Sequence, residues 1–269
     1  MPERSHRTVR LGDRDVVRMG LGTNRLTSTP QHVALVRDGI AAGMGLIDTA
    51  YTYTGGQSEA TIGETLASRA ASSAGGSGGI VVATKGGHDP GHGRPEILRG
   101  QIEESLRRLR VDTIDLYYLH RVDPQTPLEE SLGAIREFVD RGRIRLVGLS
   151  QVGVEQIEQA RTVVPIAAVQ NHYNVRERRW DAVVDHCARE GIVFVPFFPL
   201  RGVGGPELER IAARHGATPY QVALAWLLRR SPAMLPIPGT LSLDHLRQNL
   251  GALELELTDD EFERLAATA

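Results

Sequence analysis

Eight short apolar runs recur along this chain, and they limit what it can fold into more than any other feature. They are Met19–Thr23, Gly45–Thr49, Ile80–Thr84, Ile114–Leu119, Ile144–Leu149, Ile166–Gln170, Ile192–Pro196 and Met234–Ile237. Most are rich in Val, Ile or Leu without polar alternation. That is the pattern of strands buried on both faces of a parallel sheet. Segments with helical spacing follow them, clearest at Pro30–Gly43, Ser58–Ala70, Pro95–Leu109, Pro127–Arg141, Val154–Val163, Glu177–Glu190 and Leu243–Leu250. Between Pro206 and Arg230 there is room for two helices, broken at Thr218-Pro219. Eight strand–helix units predict an α/β fold of the closed (β/α)8 type. Such a barrel needs about 250 residues, so the 269 residues of this chain suit one domain over 1–269. The competing open, doubly wound sheet usually carries Gly-x-Gly-x-x-Gly after its first strand. Here Thr23-Asn24-Arg25 stands there instead.

The flanking segments complete the picture. Thr8–Arg18 alternates around Gly12-Asp13 and predicts a small N-terminal β-hairpin closing the bottom of the barrel. Pro95, Pro206 and Pro219 sit near helix starts, where a missing N–H costs little. The Ser/Gly-rich stretch Ala71–Gly79 precedes a strand and predicts a loop at the N-terminal face. Gly86–Gly93 follows a strand, so it belongs to the C-terminal face, where barrel enzymes keep their sites. A capped helix is expected from Thr258.

A formal net charge of -2 gives no basic excess for nucleic acid or an anionic membrane. Met1–Arg10 is polar, and no apolar run approaches the roughly 20 residues of a membrane span. The lone Cys187 cannot form an intrachain disulfide. A cytoplasmic protein, and a monomer, is expected.

Three runs end in polar residues foreign to a barrel core. The second carries Asp48 at its end, beside Thr49, with Tyr53 shortly after; the third leads to Lys85 and the fourth to His120. In a barrel these ends converge on one mouth. A carbonyl that receives hydride needs a proton on its oxygen. A free phenol, with a pKa of about 10, is a poor donor at neutral pH. A lysine ammonium beside it favours the phenolate and is expected to lower that pKa. The aspartate would hold the lysine charged, and the histidine would orient the carbonyl. Taken singly, each residue has an ordinary reading as a cap, a loop or a rim residue. The signal is their coincidence at neighbouring strand ends.

Ile47-Asp48-Thr49-Ala50-Tyr51-Thr52-Tyr53, Ala83-Thr84-Lys85-Gly86 and Asp115-Leu116-Tyr117-Tyr118-Leu119-His120 resemble the signatures of the aldo-keto reductase superfamily. The likeness continues through Gly148-Leu149-Ser150, Val169-Gln170-Asn171, Pro199-Leu200 and Pro236-Ile237-Pro238-Gly239-Thr240, spanning roughly residues 16 to 265. Arg18-Met19-Gly20 and His120-Arg121-Val122-Asp123-Pro124 are similar to a bacterial group that includes pyridoxal reductases. The resemblance implies a catalytic tetrad of Asp48, Tyr53, Lys85 and His120, and an extended nicotinamide cofactor. Ser150, Gln151 and Gln170 would hold its carboxamide beside Asp48, and Phe197 would stack on its ring. Thr23 and Leu200 would line its path. Gly239 and Thr240, before a helix starting near Ser242, would meet the adenosine phosphate. His245, Gln248 and Asn249 would surround the adenine.

Gln151 replaces the usual asparagine, and Phe197 the commoner tyrosine or tryptophan. Gly239 and His245 stand where many animal members carry lysine and arginine on a 2′-phosphate. Thr240, Ser242 and Arg247 can compensate, so NADPH is expected, with NADH the alternative. Tyr51, Thr52, Tyr118 and Phe198 are the expected walls for a small carbonyl substrate. His88 and His92, four apart among glycines, read as exposed loop histidines, and no metal is expected. Two other readings compete: a Schiff-base enzyme using Lys85 as nucleophile, and a cofactor-binding subunit without turnover.

Overall fold

The structure, a computed structural model, describes residues 7–71 and 80–267. Beyond Ala71, the expected loop at 71–79 lies outside the described residues. Strands β1 (Thr8–Leu11) and β2 (Arg14–Val17) pair antiparallel. The turn between them uses Gly12 at φ +59°, a conformation that glycine adopts without strain. Seven parallel strands follow in sequential order: β3 (Gly20–Gly22), β4 (Leu46–Asp48), β5 (Val81–Gly86), β6 (Ile114–Leu119), β7 (Ile144–Ser150), β8 (Ile166–Gln170) and β9 (Val193–Phe194).

The eighth run closes the barrel without becoming a regular strand. Leu235 N donates to Phe194 O (2.9 Å), while Gly20 N and Gly22 N donate to Pro236 O and Pro238 O. Only isolated parallel bridges, Phe194 to Met234 and Gly22 to Gly239, mark this staff of the barrel. Pro236 and Pro238 accept from β3 but have no N–H to return. The expected strand Met234–Ile237 is thus a proline-broken extended segment, and the fold is still a (β/α)8 barrel.

Helices α1 (Pro30–Ala41), α2 (Gln57–Ala71), α3 (Pro95–Leu109), α4 (Leu128–Asp140), α5 (Val154–Arg161), α6 (Asp181–Glu190), α7 (Pro206–His215), α8 (Pro219–Arg230), α9 (Leu243–Gly251) and α10 (Asp259–Ala266) surround the strands. Proline opens α1, α3, α7 and α8 as the first helical residue. Thr218 with Gln221, and Thr258 with Glu261, form reciprocal capping boxes that stop two frayed ends. α6 starts four residues later than its spacing suggests. Asn174 Oδ1 accepts from the backbone N–H of Arg176 (2.9 Å) and Glu177 (3.0 Å), which holds a turn where the helix would have begun.

Period two decides what faces the barrel axis. Leu46, Val81, Ala83, Leu116, Tyr118, Ala168, Val193, Val195, Leu235 and Ile237 fill the interior, floored by Leu11 and Val16 of the hairpin. Carried to the C-terminal ends, the same parity reaches Asp48, Lys85, His120, Ser150, Gln170, Phe197 and Gly239. Gly148 gives the Tyr118 ring its room, where β7 and β8 slip in register. A Cβ there would stand 2.4 Å from the ring carbons. Gly148→Ala should therefore destabilise by about 1–3 kcal/mol, seen as a midpoint several degrees lower in thermal unfolding. An unchanged midpoint would mean that the ring is not fixed there.

Candidate active site

Asp48 ends β4, Lys85 lies in β5, and His120 follows β6. Lys85 Nζ donates to Asp48 Oδ2 (2.7 Å), Thr49 O (2.7 Å) and Tyr53 Oη (3.3 Å), so its three donors are all used. The lysine is fully buried, and Gln170 Nε2 occupies the other Asp48 oxygen at 2.8 Å. The Tyr53 and His120 rings stand edge to face, 6.1 Å apart.

Tyr53 comes from the turn Tyr53–Gly56 ahead of α2. Thr54 holds a strained φ of +49° there. Its hydroxyl donates to Leu26 O (2.6 Å) and accepts from Ser58 N (3.1 Å), which fixes the turn. The outward Thr84 of β5 donates to the buried Glu59 of α2 (2.6 Å), and Arg108 pairs with that same carboxylate (3.2 Å). The helix that follows the tyrosine's turn is thereby tied to the strand that carries the lysine.

Burial alone would discharge Lys85, but the charge of Asp48 and its contacts with Asp48 and Tyr53 more than offset this and hold the amine above the ordinary lysine range. Burial pushes the Asp48 carboxyl upward, against the Lys85 charge and the Lys85 and Gln170 hydrogen bonds. The three acceptors around Nζ and the two donors on the carboxylate favour the ionised form.

Tyr53 departs from expectation. Burial raises its pKa; the Lys85 charge and hydrogen bond lower it only in part, and the Asp48 charge works against them. The net direction is upward, so the group is a phenol throughout neutral pH. Burial, with the charges of Lys85, His88 and Arg121, pushes His120 down to about 2. Its imidazole is neutral, and Nδ1 is buried without a hydrogen-bond partner among the described residues.

These side chains open on a cavity of about 520 Å³. Thr23, Asp48, Tyr53, His120, Ser150, Gln170, Phe197, Phe198, Leu200 and Gly239 line it. Two non-glycine residues hold a strained positive φ here: Phe198 of the lining at +50°, and Gln151, which follows the lining residue Ser150, at +59°. Asn174 Nδ2 holds Phe198 O at 3.1 Å. The buried Asn171 grips both backbone groups of Val152 (3.1 and 2.9 Å), and Gln151 N donates to Gln170 O (3.0 Å).

A sequence profile described as the Aldo/keto reductase family matches residues 18–205 and 203–269. The chain belongs to the aldo/keto reductase family. This family member is 35% identical over 286 residues to pyridoxine 4-dehydrogenase of Escherichia coli, covering 97% of this chain and 98% of that one. It superposes on the thermostable aldo-keto reductase Tm1743, solved with the inhibitor epalrestat, with a TM-score of 0.88 and 32% identity over 97% of this chain and 99% of that one. It also superposes on an aldo/keto reductase of Klebsiella pneumoniae solved with NADP and acetate, with a TM-score of 0.85 and 30% identity over 97% and 95% of the two chains.

The barrel brings the four tetrad candidates together. Other expected residues fall elsewhere. Tyr118 is fully buried inside the barrel, two residues below His120 and on the same parity, so it cannot be a pocket wall. Tyr51 lies under the Arg108 guanidinium, 4.6 Å from ring to charge, and neither it nor the exposed Thr52 lines the cavity. Gln151 stands outside the lining, as do Thr240, His245, Gln248 and Asn249. Thr240 lies just ahead of α9 and the other three lie within it: Thr240 Oγ1 accepts from Ser242 N (3.0 Å), and the Ser242 hydroxyl caps the helix. Asn24, Arg25, His88, Arg121 and Arg201 also line the mouth and were not expected there. For His88 a signal existed: its loop follows a strand and so had to lie at this face.

Proposed function

We propose that this enzyme reduces an aldehyde or ketone to the alcohol with NADPH, NADH being the alternative coenzyme. The observation that carries this reading is the buried Asp48–Lys85–Tyr53 cluster, opening beside neutral His120 into the cavity. The residues present suit a dinucleotide. Gly22 and Gly239 pair backbone to backbone between β3 and the eighth staff and line a trough there with no side chain of their own. Phe197 offers an aromatic face at the cavity wall, and Ser150 and Gln170 offer polar groups to a carboxamide. Arg25 and Arg201 line the same side, and α9 begins just past Thr240 with free N–H groups for a phosphate. When bound, the coenzyme supplies hydride to the carbonyl carbon.

The chain's residues handle the proton and the oxygen. Tyr53 Oη donates its proton to the carbonyl oxygen as negative charge develops there. Lys85 stabilises the resulting phenolate, which would be costly in so buried a place. Asp48 holds Lys85 charged and aimed. Neutral His120 positions the carbonyl oxygen by a hydrogen bond, and Phe198, the expected wall that does reach the cavity, covers the substrate. The competing nucleophilic role for Lys85 is disfavoured, because its amine is charged and fully engaged.

The chain is read as one domain that works as a monomer, since all four tetrad members come from one polypeptide. The buried Cys187, its thiol pushed up to about 12 by burial, suits a reducing cytoplasm. Loss of NADPH absorbance with a reactive nitrobenzaldehyde, and formation of the alcohol, tests the reading. Coenzyme that binds without turnover would favour the binding-subunit alternative instead.

The pH dependence follows from the two shifts. A raised Tyr53 stays protonated up to and beyond the ordinary phenol value of about 10. A lowered His120 stays neutral down to about 2. Neither titrates near neutrality, so kcat for reduction should be flat from about pH 6 to 9. An inflection near about 6.5 that disappears in His120→Asn would contradict the neutral imidazole.

A further inference from the structure

The mouth of the cavity is strongly cationic. Arg25, Arg121 and Arg201 line it, and its one lining carboxylate, Asp48, is already held by Lys85 and Gln170. Most arginines elsewhere pair with carboxylates, as Arg99 does with Glu137 and Arg230 with Asp185. The three at the mouth form no ion pair among the described residues. Uncompensated cations around a concave site attract and hold anions.

Position divides the three. Arg25 donates to Gly239 O at 3.3 Å, beside the backbone trough. Arg201 lies over Phe198, 5.4 Å from its ring, in the turn after Leu200. Both lie on the side read above as the coenzyme's path, and its phosphates account for them. Arg121 is on the other side. It follows His120 at the end of β6, the fourth strand of the barrel, across from the eighth staff. Its backbone N–H donates to Gly87 O (3.2 Å), which sets it against the loop carrying His88. His88 packs edge-on to His120, with centroids 4.7 Å apart. Asp89 Oδ1 accepts from His88 Nδ1 at 2.8 Å, which fixes the His88 ring. A coenzyme anion on the trough side does not account for Arg121.

We infer that the substrate is an anionic carbonyl compound, whose carboxylate or phosphate is held by the Arg121 guanidinium, while its carbonyl oxygen meets Tyr53 and His120. This rests on the reductase reading and names its substrate class. A guanidinium presents paired N–H donors that match a carboxylate or a phosphate alike.

The test compares para-formylbenzoate with its neutral methyl ester, both with NADPH, and para-formylphenyl phosphate as the second anion. The expected result is a kcat/KM for the anions at least about tenfold above the ester. In Arg121→Gln the ratio should fall by about 10- to 100-fold, chiefly through KM. Arg189→Gln, which removes an exposed, remote charge on α6, should leave the ratio unchanged. Equal handling of acid and ester by the wild type would overturn the inference. So would a ratio that moves with Arg25→Gln or Arg201→Gln but not with Arg121→Gln. If no aldehyde is consumed, the reductase reading fails separately. The anion site is then judged by calorimetric binding of benzoate, and equal affinity in wild type and Arg121→Gln overturns it.

Discussion

Replacing Lys85 with methionine should cost about 3–5 kcal/mol of stability and nearly all carbonyl reduction. Lys85 is fully buried, and its ammonium is the only positive charge in contact with Asp48 among the described residues. Without it the Asp48 carboxylate has only Gln170 as a hydrogen-bond partner, and Thr49 O loses its side-chain donor. A buried charge without its partner is far costlier than the pair was favourable. In a chain of this size that loss should lower the unfolding midpoint by roughly 10 °C. The deficit should depend on pH, and its sign can be worked out. In the variant, Asp48 has a folded pKa raised well above its unfolded value. Its protonated form is tolerated, so the variant recovers as pH falls and is worst above the raised pKa. The double variant Lys85→Met with Asp48→Asn should regain part of the stability at neutral pH and none of the activity. A loss below about 1 kcal/mol in the single variant, insensitive to pH, would mean that the pair is not the buried contact described.

Much of this site was legible from the residues. Strand ends in a closed parallel barrel must converge, so Asp48, Lys85 and His120 could be grouped before any coordinates, and Tyr53 joined them through its short turn. What period two should also have shown is the place of Tyr118. It shares parity with His120 but lies one layer down, inside a barrel filled by side chains. Tyr51 and Thr52 were near in sequence but turned away, because the strained turn at Thr54 that aims Tyr53 inward sends its neighbours outward, with Tyr51 under Arg108.

Two other features depended on tertiary context. The eighth run reads as a strand by its apolar residues, yet Pro236 and Pro238 deny it a two-way ladder. The Tyr53 shift had the wrong expected sign because a sequence displays the lysine but not the depth of burial, and burial wins. Arg121 was assigned no role at the mouth, and His88 was read only as an exposed loop histidine, for a related reason. Each is unremarkable along the chain, and it is the pairing of His120 N with Gly86 O and of Arg121 N with Gly87 O that brings their two loops together.

Tyr53→Phe bears most directly on the central claim. The substitution removes one oxygen, 3.3 Å from Lys85 Nζ, and keeps the ring. Lys85 retains Asp48 and Thr49 O, so folding should be nearly unaffected. General acid catalysis by a positioned group is worth about 10²–10⁴-fold. The measurement is kcat for NADPH-dependent reduction of a nitrobenzaldehyde in wild type and Tyr53→Phe, alongside NADPH affinity and the unfolding midpoint of each. The expected result is a fall in kcat of that size, with affinity and midpoint close to wild type. Turnover undiminished in Tyr53→Phe would show that the proton reaches the carbonyl from another group, and the role assigned to the Asp48–Lys85–Tyr53 cluster would be wrong.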